Sequence, residues 1–168
     1  EDPIGVVFNP MAGSGSLGFE ALLVLSGAGP GAFDREFACD KFPSVPAATM
    51  GFLRRKISER LKTATLPPVM FNDFNDDAIS ALKENVATFP VGQFTINEGD
   101  VLGMRPEFPA EGKILILANP PFGDRLAPDA SIPTLYAKLG KYFNGLAQKY
   151  PGRILGGCLC PDELTWKK

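Results

Sequence analysis

Short apolar runs alternate with stretches of helical periodicity along this chain, and that alternation constrains its fold more than any other feature. Ile4-Gly-Val-Val-Phe8, Pro68-Val-Met-Phe71, Gln93-Phe-Thr-Ile96, Ile114–Ala118 and Arg153–Cys160 are too short for buried helices and read as strands. Between them, apolar residues recur at helical spacing: Leu17, Leu22 and Leu25; Met50, Leu53, Ile57 and Leu61; Ile79, Leu82, Val86 and Phe89. A longer set runs through Ser131–Lys149, with Ile132, Leu135, Leu139, Tyr142 or Phe143, and Leu146 on one side. Thr49 suits the N-cap of the second helix, and Asn75 or Asp76 that of the third. Strands alternating with helices predict an α/β fold: a mainly parallel sheet with helices on both faces. Ligands of such sheets bind at the carboxyl ends of the strands.

Composition narrows the function. The 168 residues make one domain or most of one, and 45% hydrophobic with 21% charged residues is ordinary for a globular protein. A net charge of −2 argues against tight nucleic-acid binding by this segment unaided, while leaving room for a local basic patch. There is no histidine, and Cys39, Cys158 and Cys160 lack metal-type spacing, which excludes a zinc site and Ser-His or Cys-His catalysis. Three scattered thiols without a signal peptide point to a reducing cytoplasm, and no apolar run is long enough to span a membrane. The chain begins almost inside a strand and ends at Trp166-Lys-Lys just after another, as a piece of a longer protein would. Residues 26–62 read as an insertion: a Gly-, Pro- and Phe-rich stretch, then a helix bearing Arg54, Arg55, Lys56, Arg60 and Lys62 on one face. A solvated helix face is the plainer reading of that basic surface, and RNA contact the functional one.

Each strand end carries a candidate feature. Asn9-Pro-Met-Ala-Gly-Ser-Gly15 follows the first run and precedes a helix, the arrangement that cradles phosphates and nucleotides. Gly13 and Gly15 would let backbone approach a ligand. The spacing is neither a P-loop nor a full dinucleotide fingerprint, so a P-loop kinase or NTPase is not expected. Asp73, after the second strand, sits where doubly wound folds grip ribose hydroxyls; its bland role is helix capping. Asp100, after the third, could accept from an adenine amino group or be a plain loop aspartate. After the fourth comes Asn119-Pro120-Pro121-Phe122. Two prolines stiffen the turn and remove its donors, leaving the Asn amide oxygen and a backbone carbonyl as rigid acceptors beside an aromatic ring. That set suits a planar group with an exocyclic amine, with Phe122 stacking on the ring; the bland alternative is a strand-ending turn with a core Phe.

Together these stretches resemble the Rossmann-like class I S-adenosylmethionine-dependent methyltransferases, whose fourth motif on amino-group methylators is [DNS]-P-P-[YFW]. More narrowly, Asn9–Gly15, Arg35-Glu-Phe-Ala-Cys-Asp-Lys41, Asn72–Ile79 and Asn119-Pro-Pro-Phe-Gly-Asp-Arg-Leu126 are similar to the RNA guanine-N2 methyltransferases associated with THUMP domains, which modify large-subunit ribosomal RNA and transfer RNA. The resemblance implies S-adenosyl-L-methionine as cofactor, no metal, and RNA as substrate, held partly by an RNA-binding domain outside this chain. It implies that Pro10 and Ala12, Gly13, Ser14 and Gly15 cradle the methionine part, with Asn9 beside them. Asp73 would hold the ribose, Phe74 flank the adenine, and Asp100 with Val101 meet its edge. Asn119 and the carbonyl of Pro120 would orient the guanine amine, with Pro121 stiffening the turn and Phe122 stacking on the base. Arg125 would join Arg54 and Arg55 on the RNA.

Two departures stand out. Asn9 replaces the family's usual Asp, removing a charge near the cofactor, and a helix before strand one and a final strand pair are missing. Methylation of adenine N6 or of a protein glutamine uses the same kind of turn, and a non-catalytic binding module is the alternative from another class. Met11 after Pro10, and Gly123-Asp-Arg-Leu126 after the turn, favour guanine.

Overall fold

The computed structural model describes residues 2–29, 37–121 and 132–160. Five strands form one parallel sheet: β1 (Ile4–Pro10), β2 (Val69–Asp73), β3 (Phe94–Glu98), β4 (Lys113–Ala118) and β5 (Ile154–Cys158), in the order β3-β2-β1-β4-β5. The chain builds outward from β1 to β3, then returns to the other side of β1 with β4. The order therefore reverses beside β1, at the edge where sheets of this kind bind ligands.

β1 is central, so its apolar run cannot alternate with polar residues: Val6, Val7 and Phe8 are 2%, 0% and 0% exposed. The pleat shares them out. Val6 and Phe8, with Ile114 and Ile116 of β4, pack against Leu139 and Leu146 of helix α4 (Ile132–Lys149). Val7 and Phe71 face the other way, onto Leu22 of α1 (Ser16–Leu25) and Ile79 and Leu82 of α3 (Asp76–Thr88). Helices thus cover both faces, as the alternation predicts. None among the described residues is long and apolar enough to cross a membrane.

Several boundaries differ from expectation for identifiable reasons. β1 continues through Asn9 and Pro10 because Pro10 pairs in register with Asn72 at a strand end, where a missing N–H costs least. In α1 the buried positions include Phe19 and Leu23, whereas Leu25 is 42% exposed. Gly18 is what lets that helix lie on the sheet: a Cβ there would sit 2.4 Å from the Phe71 ring.

The basic helix α2 (Ala47–Thr63) begins after Pro46, not at Thr49. Pro presets an extended entry into a helix, while the Thr49 N–H is already bonded to Pro46 O. Of its apolar stripe only Leu61 is buried, against Leu23 and Ala28, and Leu53 is 45% exposed. Among the described residues the apolar packing of the helix is confined to Ile57 and Leu61 in the later turns, while Arg54 ties its middle to Asp40. Asn75 caps α3, its Oδ1 accepting from the Ala78 N–H at 2.9 Å. Ser131 and Trp166 lie outside the described residues.

Candidate active site

Past Pro10 the backbone enters an unusual loop. Met11 has φ 57°, Gly13 56° and Gly15 88°, so three of five residues take the left-handed conformation. A methionine pays for that conformation with steric strain, so surrounding bonds must hold it there. They do: Ala12 N–H donates to Asn72 O at 2.8 Å, and Gly13 N–H to Asp73 Oδ2 at 2.7 Å. From the helical side Asn85 Nδ2 donates to Ser14 O at 2.9 Å.

The two glycines do different work. A Cβ on Gly13 would meet nothing within 4 Å, so its backbone faces open space. A Cβ on Gly15 would lie 2.5 Å from Leu82 Cδ1 and 2.7 Å from Phe19 Cε2. Gly15 is thus a packing glycine, whereas sequence reasoning gave it close approach to a ligand.

Asp73 is 8% exposed at the end of β2, with Oδ1 accepting from the Asn75 N–H at 3.0 Å while Oδ2 holds Gly13. It therefore joins the loop of β1 to the start of α3. A carboxylate accepts through about four lone pairs, so two such bonds leave capacity for ligand hydroxyls.

These groups share one cleft of about 470 Å³. Met11, Gly13, Asp73 and Phe74 line one side, and Asn119, Pro120 and Pro121 another. The sequence-predicted Ala12 and Ser14 line it too, as do Ser16, Leu17 and Asn75, which sequence reasoning did not single out for the site. Phe74 is 67% exposed, so its ring offers a face to a ligand. Asn119 Oδ1 is buried and has no hydrogen-bond partner among the described residues. A buried acceptor without a donor costs on the order of 1–3 kcal/mol, and a ligand N–H relieves it.

Other predicted residues stand elsewhere. Asn9 is 1% exposed and donates from Nδ2 to Leu117 O at 2.7 Å, tying β1 to β4, while its buried Oδ1 has no hydrogen-bond partner among the described residues. Asp100 caps the 3₁₀ turn Val101–Gly103 through Leu102 N–H at 2.9 Å, and the Val101 side chain packs in the core on the α4 face. Neither lines the cleft.

Arg54 is paired with Asp40, whose carboxyl is held below its ordinary range first by the Phe37 N–H and then by that guanidinium. Arg55 lies exposed on α2. Phe122 and Arg125 fall outside the described residues. The sequence marks Met11 only as part of a motif and gives it no place in the site, and it gives Asn85 no role at all. The one signals itself only through a positive φ and the other only through a contact 71 residues away.

Residues 2–155 match the family described as UPF0020: RMKL-like, methyltransferase domain. The chain belongs to this family. S-adenosyl-L-methionine is the cofactor of such domains, and the cleft fits it: an apolar wall, an open glycine backbone and a carboxylate at the end of β2.

The RMKL-like domain is 34% identical over 142 residues to the ribosomal RNA large subunit methyltransferase K/L of Acinetobacter baumannii strain AYE, covering 80% of this chain and 19% of that protein. With the protein of that name from Hahella chejuensis it shares 26% over 141 residues, covering 82% of this chain and 20% of that one. The chain thus spans about a fifth of the length of these relatives.

Among solved structures it resembles one described as a possible methylase from Clostridium difficile 630, with TM-score 0.66 and 26% identity, covering 83% of this chain and 36% of that one. It also resembles SMU.472, described as a candidate methyltransferase and complexed with SAH. There the TM-score is 0.72 at 22% identity, covering 99% of this chain and 42% of that one, a likeness of fold.

Proposed function

We propose that this domain transfers a methyl group from S-adenosyl-L-methionine to the exocyclic N2 amine of a guanine in RNA, ribosomal RNA first and transfer RNA next. One observation carries the reading most directly. Asn119 lines the same cleft as Gly13 and Asp73, and its buried Oδ1 has no hydrogen-bond partner among the described residues. The relatives named for ribosomal RNA methylation support RNA as the substrate class.

Bound S-adenosylmethionine supplies an electrophilic methyl on a sulfonium, so the remaining task is alignment. Gly13 and its neighbours receive the methionine end, Asp73 accepts from the ribose hydroxyls, and Phe74 covers the adenine. Asn119 Oδ1 and the Pro120 carbonyl would accept hydrogen bonds from the two N–H groups of the guanine amine and turn its nitrogen toward the methyl. As the N–C bond forms the S–CH3 bond breaks, S-adenosylhomocysteine leaves, and the surplus N–H proton passes to solvent. That amine is a weak nucleophile because its lone pair is delocalised into the ring. Acceptors fixed on a proline-stiffened turn favour the pyramidal form as positive charge develops on nitrogen. The target guanine must be unpaired or flipped out of its stack to reach such a cleft. Phe122, by the resemblance, stacks on it.

Asn119→Ala is expected to abolish transfer while leaving cofactor affinity nearly intact. Labelled cofactor, RNA from cells lacking the enzyme, and nucleoside analysis provide the readout. Label in N2-methylguanosine upholds the reading. Label in methyladenosine keeps the methyltransferase and overturns guanine, and no transfer together with no cofactor binding replaces the enzyme by a binding module.

A further inference from the structure

A second groove runs along the outer side of α4, and the RMKL-like function above does not use it. It encloses about 570 Å³ between α4 and the segment that descends from the Val101–Gly103 turn. Leu102, Met104 and the Tyr142 ring give it an apolar floor, and Arg105, Lys138, Lys141 and Lys149 surround that floor. The helix Ile132–Lys149 carries three lysines and no Asp or Glu, in a chain whose net charge is −2.

Neutralisation is incomplete. Lys149 is paired with Glu107 at 2.6 Å, while Arg105 Nη1 donates to the carbonyls of Leu102 and Met104 at 3.2 and 2.9 Å. Those carbonyls fix the guanidinium without cancelling its charge. No hydrogen bond or ion pair holds Lys138 or Lys141 among the described residues. Of the four cations that line the groove, only Lys149 is ion-paired with a carboxylate among the described residues.

We infer that this groove carries the sugar–phosphate backbone of the single-stranded RNA beside the methylated nucleotide, an inference that rests on the RNA reading of the active site. Lys138, Lys141 and Lys149 lie on one helical side, and the first and last stand eleven positions apart, roughly 16 Å along the axis. A row of cations of that length over an apolar floor matches a polyanion whose charges repeat and whose sugars and bases are partly apolar. The groove also begins in the right place. The 3₁₀ turn follows β3 directly, so it lies at the carboxyl edge of the sheet, the edge that holds the candidate active site. A strand with one nucleotide turned into the cleft continues from there along α4. A membrane surface would call for outward apolar side chains, and the exposed large ones among the described residues are elsewhere: on α1 and α2, at Phe42 and Phe74, and at Leu155 and Leu159 on and just after β5.

The test uses the full-length protein, a short fluorescein-labelled single-stranded RNA, and anisotropy between about 50 and about 200 mM KCl. Lys138→Glu with Lys141→Glu is expected to weaken binding about tenfold and to flatten the salt slope by roughly 1.4, two single-strand phosphate contacts. Cofactor affinity should stay unchanged, and Lys138→Arg with Lys141→Arg should restore RNA binding. An unchanged RNA Kd and slope in the Glu pair would overturn the proposal, as would a loss that the Arg pair fails to restore. Methyl transfer separates the two readings. If the wild type methylates RNA and the Glu pair keeps its KM, the groove assignment falls and the enzyme stands. If the wild type methylates no RNA but the Glu pair still loses binding with the lower slope, the enzyme falls and the groove stands.

Discussion

Replacing Gly13 and Gly15 by alanine, one at a time, separates two jobs that the sequence presents as one. At Gly15 the backbone has φ 88°, and a side chain there costs roughly 1–2 kcal/mol in steric strain. The added methyl would also lie 2.5 Å from Leu82 and 2.7 Å from Phe19, residues that are 0% and 9% exposed. Overpacking of such a core adds about 1–3 kcal/mol, for a total of roughly 2–5 kcal/mol. At Gly13, with φ 56°, the strain is similar but nothing lies within 4 Å of the new methyl, so only about 1–2 kcal/mol is expected.

The order reverses for the cofactor. The Gly13 methyl enters the cleft and should weaken S-adenosylmethionine at least about tenfold, or 1.4 kcal/mol. Gly15→Ala should leave the affinity of the folded fraction close to wild type. Urea unfolding with linear extrapolation gives the first ranking and calorimetric titration the second. Gly15→Ala no less stable than Gly13→Ala would refute the packing argument, and cofactor binding indifferent to Gly13→Ala would refute the orientation of the loop.

Asn9→Asp would set a carboxylate against the Leu117 carbonyl at a site 1% exposed, so a loss of about 3–5 kcal/mol is expected near pH 7. That loss should shrink in acid, where the protonated acid can donate; equal urea midpoints for variant and wild type at neutral pH would contradict it. Burial pushes the Tyr142 hydroxyl from 10.0 up to about 12, against a smaller pull from Arg105. Because the folded value is the higher one, its contribution to stability is whole below pH 10 and is lost as pH rises toward 12. A Tyr142→Phe chain should lack that part of the alkaline loss, and ultraviolet titration should show one late-ionising tyrosine that the variant removes. Burial, and then Cys160, raises the Cys158 thiol from 9.0 to about 11. Iodoacetamide at pH 8 should therefore modify it many times more slowly than a small free thiol, and mass spectrometry of the labelled peptides would reveal an equal rate.

The parts of the fold set by local pattern were legible in the sequence. The run at Ile114–Ala118 reads as a strand and is one, and of the two caps that the sequence offers for the third helix, Asn75 and Asp76, the structure uses Asn75. The place of each motif at a strand end followed from the same punctuation. What stayed hidden depends on partners distant in sequence. Gly15 differs from Gly13 only through Leu82 and Phe19, and Met11 is held left-handed by bonds around its neighbours to Asn72 and Asp73. The stripe of α2 read as a buried face because periodicity reports what a helix could bury. Which positions it does bury depends on how many residues it has to lie against.

Asparagine is the common element at the carboxyl edge, and the reason is electrostatic. Where strands end and ligand loops begin, the ladder runs out and buried carbonyls need donors. Asn9 Nδ2 serves Leu117 O, Asn72 Nδ2 serves Gly99 O at 3.1 Å, and Asn97 Nδ2 serves Phe71 O at 3.2 Å. Each bond ties one strand end to its neighbour without bringing a charge into the interior. A lysine or arginine could make the same bonds, but a buried cation at this edge would oppose binding of a cationic sulfonium in the cleft. Asp73 is the one ionisable side chain among the described residues that line the cleft, and two of its acceptor sites already hold the loop and the helix start in place. A cleft whose described lining is rigid and carries a single ionisable side chain suits the proposed reaction. Its donor is already cationic and its acceptor is a neutral amine, so orientation by fixed dipoles does more than any added charge could.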